Sequence, residues 1–216
     1  MGMKVLVACE ESQVVCIAFR ERGHEAYSCD ILPCSGNRPE WHIQDDVLKH
    51  LDDGWDMMLA FPPCTYLTVT GARWLYNKDG SKNIDRWQKQ EEAISFVKKL
   101  YYCNVNKICI ENPIGKLSTL WMRPTQIIQP YYFGDTESKR TCLWLKNLPL
   151  LIHTDEDNLY ENKTHVEPRV YAIFKSGKKK GQPIYGTQYC KFSEDRGQIR
   201  SKTFPGIAAA FAEQWG

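Results

Sequence analysis

The sequence predicts an α/β protein with a mostly parallel central sheet, and three observations predict it. Apolar runs of strand length at residues 3–8, 57–61 and 106–110 alternate with stretches of helical period. Residues 3–31 read as one complete β-α-β unit with an expected right-handed crossover. Two of the apolar runs stop at prolines, each with a chemically capable side chain beside the stop.

In chain order, Met3 to Ala8 is the first strand. Val14 to Arg22 follows with apolar positions on one helical face, and Gly23 stands where a left-handed C-terminal residue is usual. Glu25 to Ile31 is the second strand, ending in Asp30, where an acid can accept hydrogen bonds from ribose hydroxyls or simply cap a loop. Pro33 to Pro39 is loop, and Trp41 to Val47 leads into a short amphipathic helix through Leu51. The run Met57 to Phe61, bounded by Asp56 and halted by Pro62-Pro63 just before Cys64, is the central buried strand. Thr65 to Asn83 lacks a clean period and carries Gly71, Arg73, Trp74 and Tyr76, as a substrate-facing loop would.

Ile84 to Tyr102 is a helix, with Trp87, Ala93, Ile94, Phe96, Val97 and Leu100 largely on one face. Asn106 to Ile110 is a strand running into Glu111-Asn112-Pro113. Two later strands are expected at 127–134 and 140–145, and residues 150–200 read as irregular. The chain closes on a helix over Phe204 to Trp215.

With 216 residues, 43% hydrophobic and 25% charged, the chain is sized for one core. Nine cysteines occur with no C-x-x-C pair, which argues against a disulfide framework and a cysteine zinc site, so no metal is expected. No leader-like segment or long apolar run occurs, and a cytoplasmic protein with no membrane partner is expected. Net charge is only +2, yet residues 163–202 hold ten Lys+Arg against three acids. That basic, tyrosine-bearing stretch, with Lys178, Lys179, Lys180 and Arg200, suits a phosphate-bearing partner or is a solvated loop.

The ordered set is a strand with Cys9-Glu10, a strand with Asp30, then Asp46, Pro62-Pro63-Cys64, Glu111-Asn112-Pro113 and Lys139-Arg140. In this set the chain resembles the DNA cytosine-C5 methyltransferase family, especially its short phage-type members. Pro62-Pro63-Cys64 looks like that family's nucleophile motif and Glu111-Asn112-Pro113 like its Glu-Asn-Val or Glu-Asn-Pro motif. The resemblance covers roughly residues 3–149 and the last helix. It implies a Rossmann-like class I S-adenosylmethionine-dependent methyltransferase fold and methyl transfer to C5 of cytosine in DNA, in a bacterial or phage-infected cell.

The resemblance further implies Cys64 as nucleophile toward cytosine C6, Glu111 at N3, and Arg140 or Lys139 as the neighbouring cation. S-adenosylmethionine would be held by Cys9, Glu10, Ser12, Asp30, Ile31, Asp46 and Pro62. DNA would be met by Arg73, Lys139, Lys178, Lys179, Lys180 and Arg200. Residues 1–149 with 203–216 would be the catalytic domain and 150–202 a reduced target-recognition region.

Two departures stand out. The first motif, Ala8-Cys9-Glu10-Glu11-Ser12-Gln13, has no glycine where the family has Phe-x-Gly-x-Gly, and only about 50 residues are available for target recognition. RNA or a free pyrimidine nucleotide is therefore an alternative substrate, and a non-catalytic nucleic-acid-binding relative a third reading. An amino-group methyltransferase is disfavoured because Phe61 precedes the prolines and Cys64 follows them.

Overall fold

The computed structural model describes residues 2–69, 71–156, 163–185 and 203–216. Seven strands form one sheet in the order β3-β2-β1-β4-β5-β7-β6: β1 Lys4–Ala8, β2 Glu25–Asp30, β3 His42–Gln44, β4 Met57–Ala60, β5 Lys107–Pro113, β6 Gln126–Ile128 and β7 Thr141–Lys146. The first five strands run parallel, and β7 runs against both β5 and β6. A parallel half closed by one reversed strand next to the edge makes this a mixed α/β, Rossmann-like sheet.

Helices cover both faces, as parallel strands require. α1 (Val14–Glu21) and the C-terminal helix, here α4 (Pro205–Trp215), pack on one face, where Phe19, Phe211 and Trp215 meet Val5, Val7, Met57 and Leu59. α2 (Ile84–Tyr102) covers the other through Ile94, Val97 and Leu100 against Leu6, Met58, Ile108 and Trp144. A one-turn helix, α3 (Leu117–Leu120), follows β5. Asn83 caps α2, its side chain accepting a hydrogen bond from Arg86 N.

The fit of α4 depends on Gly206. Its N–H donates to Asp135 Oδ2 at 2.9 Å, and a Cβ there would lie 1.9 Å from Phe133 O. No helix among the described residues is long and apolar enough to cross a membrane.

Four expectations need correction. Residues 42–44 are a polar edge strand, not the approach to a helix, and only a 3-10 turn forms at Val47–Lys49. Pairing with β2 and the contact of Ser28 Oγ with His42 Nδ1 at 2.8 Å hold that strand. The run 127–134 is not one strand: β6 ends at Ile128, and Pro130, which cannot donate to a ladder, opens a 3-10 turn through Phe133. β5 does not stop before Glu111, because β7 pairs with it through Pro113. Within the region read as irregular, Ala172–Ile173 (β8) and Pro183–Ile184 (β9) form a short hairpin.

Candidate active site

Strand order reverses between β1 and β4, so the carboxyl ends of these neighbours border the crevice where open α/β sheets receive ligands. A cleft of about 690 Å³ lies there. Its floor is Cys9 at the end of β1, its side Asp30 and Ile31 after β2, and its far wall Asp46 beyond β3. Pro63 and Tyr66 close the β4 side, and Ala93 and Phe96 reach in from α2. Ile31 is 73% exposed at this rim, an apolar surface facing the opening.

The loop after β1 keeps a tight backbone without glycine. Cys9 and Gln13 both have φ of 59°, the left-handed region that costs a side-chain-bearing residue roughly 1–2 kcal/mol. Gln13 is held there by its buried amide, which donates to Arg38 O at 2.8 Å and accepts from Arg38 N at 3.1 Å. Gly36 packs so closely above that a Cβ would fall 2.6 Å from Gln13 Cβ.

Glu10 and Ser12 do not line the cleft. Glu10 is buried and accepts from the N–H groups of Val15 (2.7 Å) and Cys16 (3.2 Å), satisfying donors that the start of α1 leaves without an intrahelical partner. Burial raises its carboxyl to about 7, against the pull of those amides. In the unfolded chain the same group ionises near 4.5. The folded state thus holds an extra proton between those values, and stability falls as pH rises through that window, by on the order of 3 kcal/mol in full. We expect Glu10→Gln to remove this dependence: in urea unfolding at pH 5 and pH 8, the variant gains on the parent as pH rises. A difference that stays constant with pH would contradict it.

The cleft is acidic. Asp30 and Asp46, with burial first, push the Cys9 thiol up and keep it neutral. Asp30 Oδ1 accepts from Leu32 N at 2.9 Å and Asp46 Oδ1 from Leu48 N at 3.0 Å, which fix both carboxylates at the strand ends. Pro62 itself is buried below, and Pro63 faces the cleft.

Beside the cleft, the turn carrying Cys64 is fixed from four directions. Asn112 Nδ2 donates to Pro62 O at 2.8 Å, which ties Pro62-Pro63-Cys64 to Glu111-Asn112-Pro113 across β4 and β5. The buried Gln90 of α2 donates to Tyr66 O at 2.9 Å, and Arg86 donates to Thr65 O at 3.4 Å while lying over the Tyr66 ring. Lys116 N donates to Leu67 O at 2.7 Å. Within the turn, Leu67 N and Thr68 N both donate to Cys64 O. Cys64 is half-buried.

Glu111 alternates with Asn112 on β5, and burial raises its carboxyl pKa against the Lys139 charge and the Thr141 hydroxyl. The cation acting on Glu111 is therefore Lys139; Arg140 is exposed at the head of β7, where its charge acts on Cys142. Arg73 lies in the 3-10 turn Ala72–Leu75 with its guanidinium 4.6 Å from the Trp74 ring, beside exposed Tyr76. Lys178, Lys179 and Lys180 are exposed at the tip of the β8–β9 hairpin, away from the seven-stranded sheet in the topology. Arg200 lies outside the described residues.

Sequence reasoning missed the α2 wall of the cleft and the grip of Gln90 and Arg86 on the Cys64 turn. The signal was present in the periodicity: Arg86, Gln90, Ala93 and Phe96 recur at helical spacing on the turns of α2 that follow the loop 65–83.

No protein-family profile and no curated protein matches the chain. Among solved structures, one it resembles is described as a DNA modification methyltransferase encoded within a prophage of E. coli, at 14% identity over 77% of this chain and 52% of that one, TM-score 0.45. Another is the 16S rRNA methylase RmtB, at 15% identity over 68% of this chain and 56% of that one, TM-score 0.34. The chain spans about half the length of these structures.

Proposed function

We propose that this protein binds S-adenosylmethionine in the switch-point cleft and transfers its methyl group to C5 of cytosine in DNA, with Cys64 as nucleophile. The observation that carries the reading is the junction of two sites: a cleft of about 690 Å³ bordered by carboxylates and apolar side chains, sharing the Pro62–Tyr66 turn with Cys64.

The cleft fits the cofactor by its donor set. Asp30 would take the ribose hydroxyls, Ile31 and Phe96 would offer the adenine apolar surface, and Asp46 would accept from its amino group. The acidic lining suits a ligand with a cationic sulfonium. Glu10 and Ser12 lie outside the cleft lining, and Glu10 instead holds the start of α1. Bound there, S-adenosylmethionine supplies an electrophilic methyl for C5.

The chain's own residues do the rest. Cys64 as thiolate adds to C6 of a flipped cytosine, forming a C–S bond and placing electron density on C5. In its turn, Arg86 of α2 donates to Thr65 O, the carbonyl of the residue next to Cys64. Glu111, kept readily protonated by burial, holds the N3 proton and offsets charge as the adduct forms. After C5 loses its proton to a base, the C6–S bond breaks and Cys64 is restored. Lys139 supplies the positive charge beside Glu111.

Residues 1–149 with 203–216 act as the catalytic domain, and 150–202 as a short recognition segment. Arg73 with Trp74 and Tyr76 offers a base-stacking and phosphate-binding patch on the loop after Cys64. The direct test is product analysis of DNA incubated with the protein and S-adenosylmethionine. 5-Methylcytosine is expected; N4-methylcytosine or N6-methyladenine would contradict the assignment, and methylation of RNA alone would move the substrate.

Removing the charges at Lys178, Lys179 and Lys180 should weaken DNA binding. It should also make the slope of log K against log salt shallower by about 1–3, roughly one for each phosphate that is no longer neutralised. An unchanged slope, measured by fluorescence anisotropy, would return the hairpin tip to a solvated turn.

A further inference from the structure

We propose that His153, Asp155 and His165 form a binding site for a zinc-type transition-metal ion. The two histidines are brought together by pairing of the segments around 154 and 164: Thr164 N and His165 N both donate to Thr154 O at 3.1 Å, and Thr154 N donates to Thr164 Oγ1 at 3.0 Å. Asp155 Oδ1 then lies 2.9 Å from His165 Nδ1 and 3.4 Å from His153 Nδ1. One donor atom from each residue falls within 4.8 Å of the other two. Zinc bonds of about 2.0–2.2 Å place adjacent tetrahedral ligand atoms roughly 3.3 Å apart, close to this spacing.

A second observation points to a ligand. His153 Nδ1 is buried and has no hydrogen-bond partner among the described residues. Such an atom costs about 1–3 kcal/mol when unsatisfied, and a metal bond would satisfy it. Without a metal its contact with Asp155 Oδ1 is an ion-pair distance of 3.4 Å and not a hydrogen bond. The rings are also held in place: His153 stacks on Tyr132 with centroids 4.2 Å apart, and His165 packs against Tyr131 at 5.1 Å. Thr164 Oγ1 donates to Tyr132 O at 2.7 Å and Val166 N to Tyr131 O at 2.9 Å.

Two imidazoles and one carboxylate select zinc, cobalt or nickel over magnesium or calcium, and they leave a fourth position for water or another side chain. Cysteine spacing was uninformative because no cysteine takes part. The ion would tie residues 153–155 to His165, at the start of the basic segment, beside the Tyr131 and Tyr132 rings of the turn Pro130–Phe133.

The test uses tag-free, reduced, full-length protein treated with chelator and then titrated with Co²⁺. We expect one equivalent to bind with visible d–d absorption and no thiolate-to-cobalt band, and Zn²⁺ to displace it. His153→Ala and His165→Ala should each weaken binding at least about tenfold. No binding by the parent protein, or parent-like binding by either variant, would overturn the site. Should the alanine variants misfold, His165→Cys keeps a ligand and should add a thiolate-to-cobalt charge-transfer band; binding without that band overturns the proposal equally.

Discussion

Replacing Cys64 with serine is expected to lower methyl transfer by at least about 10³-fold while leaving the affinity for S-adenosylmethionine within about twofold. The split arises because Pro63 and Tyr66 border the cleft, whereas Cys64 does not line it. Serine preserves the turn, since it is the backbone carbonyl of residue 64 that accepts from Leu67 N and Thr68 N. It removes only the sulfur, and an alkoxide is far harder to generate at neutral pH than a thiolate. Single-turnover transfer and calorimetric titration of the cofactor, run on the same preparation, separate chemistry from binding. Turnover close to that of the parent would exclude Cys64 as nucleophile.

Gly115→Ala is expected to cost about 10²-fold in kcat/KM through geometry alone. A Cβ at this position would stand 2.1 Å from Leu67 O, a backbone atom that cannot rotate away. Residues 67–68 must therefore retreat, breaking the bridge between Thr68 and Gly115 and stretching the bond from Lys116 N to Leu67 O. The far side of the Cys64 turn loses its anchor, while Asn112 still holds Pro62. Overpacking of this kind also costs about 1–3 kcal/mol of stability, visible as a lower Tm. Cofactor affinity should change little, because neither Gly115 nor Leu67 borders the cleft. A variant with parental kcat/KM would mean that the turn tolerates displacement and that its four anchors do not position Cys64.

Much of the fold was legible because its elements carry strong local signals. The helix expected over 84–102 forms between those residues, where period, length and the Asn83 cap agree. The apolar runs of β1 and β4 could only be buried strands, and Gly23 does take a left-handed φ of 84° after α1. The polar edge strand β3 had no such signal, since its partner β2 supplies its stability. At 130–133 proline overrode an aromatic, strand-like composition.

The candidate site was legible along each strand but not across the sheet. Cys9, Asp30, Ile31 and Asp46 stand at strand ends, and all four line the cleft. Glu10 reads as one more polar residue in that row, yet the chain turns at Cys9 and aims it into the start of α1. The wall contributed by α2 follows only from the β4-to-β5 crossover that lays the helix against β5 and its neighbours, which no local pattern encodes. The pairing that gathers His153, Asp155 and His165 is likewise tertiary, with the two histidines twelve residues apart in sequence.

The most direct measurement is to incubate the protein with methyl-labelled S-adenosylmethionine and DNA containing 5-fluorocytosine, then separate the products by denaturing electrophoresis. Fluorine at C5 cannot leave as a proton does, so the C6–S bond to Cys64 persists. The account predicts a labelled protein–DNA adduct that is lost in Cys64→Ala. An adduct that survives in Cys64→Ala, or its absence from a preparation that binds both cofactor and DNA, would contradict the central claim.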